Sequence, residues 1–216
     1  MATLSNFYPY VLPEVPGCPE ISVDVALRSS LIEFCEKSLV IQRDHDPLTV
    51  VAGVVDYDFE PPTGSLVIKV MKAWYKSEEL IPLAPDEVED AELYNRSFSD
   101  ANTAGSQPRY ILQKDERTFS LYPIPDANVA NGLTMRVAYK PSRTASSFED
   151  VLFEDYAEVI AAGAKARLMM SPGKTYTNPQ LAVAMMDMFG RGVNTARSRA
   201  GRGHVRSDLS VQMRRL

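Results

Sequence analysis

The sequence predicts an α+β protein, a helical bundle carrying an inserted antiparallel β domain. Three observations carry that expectation. Helical periodicity marks one segment near the N-terminus, returns in two segments near the C-terminus, and is absent from the roughly one hundred residues between, which are rich in β-branched and aromatic side chains. The first helix cannot bury its apolar face alone, so it must pair with the last two. That makes the β block an insertion.

In chain order, residues 1–18 carry Pro9, Pro13 and Pro16 and show no period. This favours an extended arm rather than a helix. Phe7, Tyr8 and Tyr10 are too apolar for a solvated tail, so the arm is expected on a surface, either a neighbouring subunit's or its own domain's. Pro19 opens a helix to about Leu39, with Val23, Leu27, Leu31 and Phe34 on one face.

Residues 49–59 and 65–75 read as strands separated by the turn EPPTG. RYILQ (109–113) and RTFSLYP (117–123) flank KDE and read as a hairpin, and a short helix is expected at 85–94. In 133–141, Leu133, Met135, Val137 and Tyr139 alternate with Thr134, Arg136, Ala138 and Lys140, as in a half-buried strand.

Phe148 to Met170 then reads as one long helix, with Leu152, Tyr156, Ile160, Ala164 and Leu168 on one face. Its run AAGAKA holds a mid-helix Gly163, which costs about 1 kcal/mol against alanine and so points to close approach of another helix. The last helix starts at Pro179, after Asn178 as cap, with Leu181, Met185, Met188, Phe189, Val193 and Ala196 as its stripe, widened on one side by Met186. Gly201 and Gly203 end it. The resulting division is an arm over 1–18, a bundle over 19–40 and 142–201, a β domain over 41–141 and a basic tail over 202–216.

The chain has 216 residues, 45% hydrophobic and 24% charged, with net charge −5, so no bulk nucleic-acid signature exists. The charge is uneven. From Gly190 onward there are seven arginines, among them Arg199, Arg202, Arg206, Arg214 and Arg215, against the single acid Asp208. This composition fits a segment that docks on an acidic partner or nucleic acid, and fits equally a solvated terminus. Cys18 and Cys35 make no disulfide framework, and the N-terminus has no basic, apolar leader pattern, so a reduced cytosolic setting is expected. No segment approaches the ~20 apolar residues of a membrane span.

The chain shows no catalytic set. His45 lies between Asp44 and Asp46, but adjacent side chains on an extended segment face opposite ways, so a polar loop at the edge of the β block is expected instead of a metal site. His204 lies in the Gly/Arg tail. The acids at 86–92 read as a solvated helix face. Gly173-Lys174-Thr175 imitates the end of a phosphate-binding loop, yet Leu168 stands where that loop needs its first glycine, and the preceding segment is helical. A turn between two helices is expected at 171–179. A nucleotide- or nucleic-acid-binding role through this turn or the Arg-rich tail is the alternative reading.

The segment FEDYAEVIAAGAKARLMMSPGKTYTNPQLAVAMMDMFGRGVNTARSRA (153–200) resembles the helical hairpin of the head-to-tail adaptor, or connector, proteins of short-tailed bacteriophages. DVALRSSLIEFCEKS, VAGVVDYDFEPPTGSLVIKVMKAWY and LYPIPD match the expected layout upstream. The resemblance implies a non-enzymatic virion protein without cofactor or metal. It implies a ring, usually of twelve copies, beneath the portal protein, assembled in the host cytoplasm and placed in the virion neck. Such a ring extends the channel through which genomic DNA passes without specific binding, and offers a platform to the tail nozzle protein. It further implies that the C-terminal segment reaches the portal, here through Arg199, Arg202, Arg206, Leu209, Val211, Arg214, Arg215 and Leu216. Phe7, Tyr8 and Tyr10 of the arm are expected to embrace a neighbouring subunit.

Overall fold

A computed structural model describes residues 1–84, 86–87 and 107–203. The chain divides into two compact units, a β unit of Ile41–Phe148 with Met1, and a helical unit of Ala2–Val40 and the chain from Glu149 on. The β unit is thus an insertion in the chain of the helical one.

The β unit contains two four-stranded sheets among the described residues. One has the order β1 (Gln42–Val50), β8 (Val129–Pro141), β3 (Ser65–Tyr75), β4 (Glu78–Glu79). The other has the order β2 (Asp56–Asp58), β7 (Thr118–Tyr122), β6 (Tyr110–Gln113), β5 (Ile81–Pro82). All pairings are antiparallel except β5 with β6. Leu133, Met135, Val137 and Tyr139 of β8 are buried as the sequence predicts, with Thr134 and Arg136 exposed between them, but Ala138, expected on the open face, is buried as well.

In β3 the buried residues are Val67, Val70, Ala73 and Tyr75, the first three spaced three apart instead of two. Two register shifts against β8, between Val67 and Lys69 and between Val70 and Lys72, supply the extra residue each time. Bulges disrupt the ladder, and Gln113 of β6 meets the groups beside them. Its Oε1 accepts from the Val70 N–H (3.0 Å) and its Nε2 donates to the Ile68 carbonyl (3.3 Å). One amide therefore fixes the kinked strand to the second sheet. That sheet's own core is aromatic, with Phe119 against Phe59 (4.7 Å between centroids) and Tyr57 (5.6 Å).

Two expectations for this unit are corrected. Residues 49–59 are not one strand. β1 ends at Val50 and β2 starts at Asp56, because a turn with Gly53 at φ 76° separates them. RDHDP is not a loop but part of β1, an edge strand. His45 is buried there, with Nδ1 on the Asp46 carbonyl (2.8 Å) and Nε2 accepting from the Glu60 N–H (3.2 Å), while Asp44 and Asp46 stay exposed. The helix expected at 85–94 and the acids at 86–92 lie outside the described residues, apart from Asp86 and Glu87.

The helical unit is built on α2 (Glu20–Ser38), α4 (Ala157–Met169) and α5 (Pro179–Arg202), with the short α1 (Tyr8–Val11) and α3 (Asp150–Glu154) beside them. α2 buries the predicted Val23, Leu27, Leu31 and Phe34, and ends where Leu39 turns left-handed, its N–H on the Cys35 carbonyl. The single helix expected from Phe148 to Met170 is broken. Tyr156 leaves helical geometry (φ −132°, ψ 13°), and its ring meets Phe34 at 5.0 Å.

The extended arm is also corrected. Leu4–Phe7 and Leu12–Glu14 are 3-10 turns on either side of α1. Pro9 and Pro13 stand in the first turns of these short helices, where a missing N–H leaves no bond unmade.

Candidate interaction surfaces of the helical unit

The hairpin α4–α5 is held by very close approach. Ala161, Ala162, Gly163, Ala164 and Ala166 of α4 are all buried. A Cβ on Gly163 would lie 2.7 Å from Phe189 Cδ2, which is the packing reason the sequence suggested for that glycine. Gly192 of α5, which the sequence reading passed over, is tighter still. A Cβ there would lie 2.4 Å from Val159 Cγ1.

This closeness narrows the line that α5 encloses. Ala182, Phe189, Val193 and Ala196 are buried, but Leu181 and Met185 are half-buried and Met186 and Met188 are exposed, which corrects the wider stripe expected. Apolar side chains therefore remain in solvent on two flanks of α5. One flank borders a groove of about 520 Å³ lined by Ala166, Met170, Ala182, Val183, Met186 and Gly190. The other, of about 400 Å³, is bordered by Tyr10, Pro13, Met185 and Met188, with Glu158 at its rim.

Charges inside the bundle are matched. Arg167 reaches from α4 to the Glu33 carboxylate, the Ser30 hydroxyl (2.7 Å) and the Gly163 carbonyl (2.9 Å), and lies 5.8 Å from the centre of the Phe189 ring. Burial alone would raise the Glu33 pKa. The Lys37 hydrogen bond and the charges of Arg167 and Lys37 outweigh it, so the carboxyl sits below its ordinary range. Lys165, nearly buried, is paired with Glu14 at 2.6 Å. Sequence reading missed both cations. The available signal was a lysine and an arginine embedded in a run of small apolar residues.

The expected subunit-contact residues of the arm divide. Phe7 is fully buried in its own unit, edge-on to Phe153 at 5.3 Å, and is not available to a neighbour. Tyr8 donates its hydroxyl to Asp24 Oδ1 (2.7 Å), and the bond to this carboxylate pushes its pKa up to about 12. Its raised pKa means the bond's contribution is present below the ordinary tyrosine range and lost as pH rises through the folded value. Tyr8→Phe is expected to lower stability at neutral pH by about 1 kcal/mol, read from chemical denaturation midpoints, with the gap closing in strong alkali. Tyr10 stays 40% exposed and belongs to the second groove.

The 171–179 turn is a clamp between helices. Gly173 has φ 70°, the Lys174 N–H donates to Thr177 Oγ1 (3.0 Å), and Thr177 Oγ1 donates to the Ser171 carbonyl (2.6 Å). Asn178 caps α5 by accepting from the Leu181 N–H (3.1 Å), as the sequence predicts. Thr175 Oγ1 donates to the Pro16 carbonyl (3.3 Å), and Tyr176 hydrogen-bonds Cys18, which holds the tyrosine's pKa above its usual range. The Lys174 N–H that a phosphate loop would turn on its ligand is used within the turn, and the preceding element is helix α4.

Of the C-terminal candidates, Arg199 and Arg202 lie on the last turn of α5. Arg199 pairs with Asp155 at 3.1 Å and remains half exposed. Arg206, Leu209, Val211, Arg214, Arg215 and Leu216, with His204, lie outside the described residues.

No match was found among curated proteins. The family model described as SU10 adaptor protein matches residues 14–212, through both units and most of the C-terminal segment. A helical hairpin closed across glycines, an inserted β unit and a family match over nearly the whole length place the chain in the SU10 adaptor protein family, the head-to-tail adaptors of short-tailed phages.

Proposed function

We propose that this protein forms a ring, of twelve copies, beneath the portal protein of the filled phage head. The ring extends the DNA channel and presents a platform to the tail nozzle protein. The observation that carries this reading is the family match, which runs through the helical hairpin and into the basic C-terminal segment as far as residue 212. The role is structural rather than enzymatic, and needs no cofactor. Genomic DNA passes through without specific binding, because a chain with net charge −5 offers phosphates little attraction overall. Assembly takes place in the host cytoplasm. Among the described residues, no helix is long and apolar enough to cross a membrane.

The C-terminal segment is the portal-binding element in this reading. Arg202, Arg206, Arg214 and Arg215 supply charge, and Leu209, Val211 and Leu216 supply apolar anchors. Affinity that rests on such charges falls with salt. Deletion of residues 202–216 is expected to abolish binding to the portal protein of the same phage while leaving the thermal transition of the body intact. Co-sedimentation with portal rings, with electron microscopy of the pellet, reads this directly. Retained binding by a folded truncation overturns the assignment of the tail.

A further inference from the structure

A furrow follows one face of α5 from Val183 to its end. Val183, Asp187, Gly190, Asn194, Ser198 and Arg202 succeed one another on that face, about a turn apart. Two concavities lie end to end along it and share Asn194. The first is the groove of about 520 Å³, where Val183 is 63% exposed, Met170 58% and Met186 43%. The second, of about 550 Å³, is bordered by Thr195, Ser198 and Arg199 and runs to Gly203, where the described chain stops. The furrow is therefore polar near the end of α5 and apolar farther back. Asp187 and Arg191 on its wall pair with each other at 2.8 Å, so their charges are matched within α5.

We infer that residues 204–216 of the same chain fold back along this face, with Leu209, Val211 and Met213 covering the groove at Met170, Val183 and Met186. Three observations choose this occupant. First, the furrow begins where the segment does. Gly203 takes φ 65°, a conformation that suits glycine and turns the chain out of the helix. Second, the distances agree. An extended chain advances about 3.3 Å per residue, so Leu209, Val211 and Met213 stand about 20, 26 and 33 Å along it from Gly203. Gly190, Met186 and Ala182 lie about 20, 26 and 32 Å back along the helix, at 1.5 Å per residue. Third, the order of polarity agrees. In HVRSDLSVQM (204–213) the first five residues hold one apolar side chain, and then Leu209, Val211 and Met213 alternate with Ser210 and Gln212. Alternation places all three on one face of an extended segment. The polar half thus passes the polar concavity and the apolar half reaches the apolar one. A segment drawn onto a portal leaves this face bare, so the contact shelters an apolar surface until the segment is engaged. The contact itself depends on neither the ring nor the portal.

Hydrogen peroxide, which converts exposed methionine to its sulfoxide, reads the contact in the full chain without any partner. Wild type is compared with a variant carrying Leu209→Ser, Val211→Ser and Met213→Ser. Met170 and Met186 are expected to oxidise about tenfold more slowly in wild type, the scale of a contact of about 0.1 mM affinity held at a millimolar effective concentration. Met71 (37% exposed) and Met188 (38%) lie off this face. They should react alike in both proteins, which shows that the variant is folded. Equal rates at Met170 and Met186 in the two proteins overturn the inference. Protection that fades on dilution also overturns it, because a second copy is then the cover. A second measurement reads the register. Under mild oxidation, Met186→Cys with Val211→Cys is expected to form a disulfide within one chain several-fold faster than Met188→Cys with Val211→Cys. Equal yields from the two pairs overturn the placement of the segment. Failure on either count leaves the ring reading standing.

Discussion

Gly192→Ala is expected to destabilise the helical unit by about 3 kcal/mol, although alanine is the better helix former by about 1 kcal/mol. The new Cβ would stand 2.4 Å from Val159 Cγ1 and 2.6 Å from Cγ2, roughly an ångström or more inside the usual carbon–carbon separation. Neither side can yield cheaply. The Cβ is fixed to the α5 backbone, and a β-branched valine in a helix has essentially one side-chain rotamer. The helices must therefore part, and the Gly163–Phe189 contact, drawn to a similar distance, parts with them. Gly190, two residues earlier, is the control. Nothing lies within 4 Å of its added Cβ, so Gly190→Ala is expected to raise stability by about 0.5–1 kcal/mol. Denaturant midpoints of both variants measure the contrast. Val159→Ala in the Gly192→Ala background should recover most of the loss, a coupling that a double-mutant cycle quantifies. Additive losses would mean that these two positions do not meet.

Arg167→Met is expected to cost about 2 kcal/mol, because it leaves Glu33 in the bundle without its guanidinium partner while keeping the apolar stem. Both side chains are about one quarter exposed, so the loss falls short of that for a fully enclosed pair. The pair also has a pH signature. The folded carboxyl titrates below its unfolded value, so its contribution to stability is full above the ordinary carboxylate range and is lost as pH falls through the folded pKa. The melting temperature of wild type should fall as pH is lowered from neutral to about 3, and the drop should be shallower in Arg167→Met, which has less to lose. Parallel curves for the two proteins would remove Glu33 from the acid response.

The sequence by itself determined the elements whose cause is local. Pro19 and Asn178-Pro179 open helices because a proline or a capping amide acts within one turn, and Leu133, Met135, Val137 and Tyr139 share the buried face of β8 because a strand places successive side chains on opposite faces. Gly163 was legible as a packing position, since a glycine inside a helix needs a reason beyond propensity. Val67, Val70 and Ala73 show where this logic stops. Their spacing of three makes sense only with β8 in place to define the bulges, and with Gln113 arriving from the other sheet.

The interaction surfaces were legible only in part. The basic tail and the aromatic arm stand out in composition, but the arm's expected exposure depended on whether anything covered it. Phe153, far along the chain, covers Phe7 and leaves Tyr10 half open. The methionines of α5 read as core by periodicity, yet periodicity tells only that a face is apolar. How much of that face is enclosed depends on the diameter of the opposing helix, and the glycine and alanines of α4 let α5 in so far that Met186 and Met188 remain outside. Arg167 and Glu33 lie 134 residues apart in the chain. Charge, pattern and capping act over a few residues and were written in the order of the amino acids. Which apolar faces stay open, and which charges meet, was decided when α2, α4 and α5 came together.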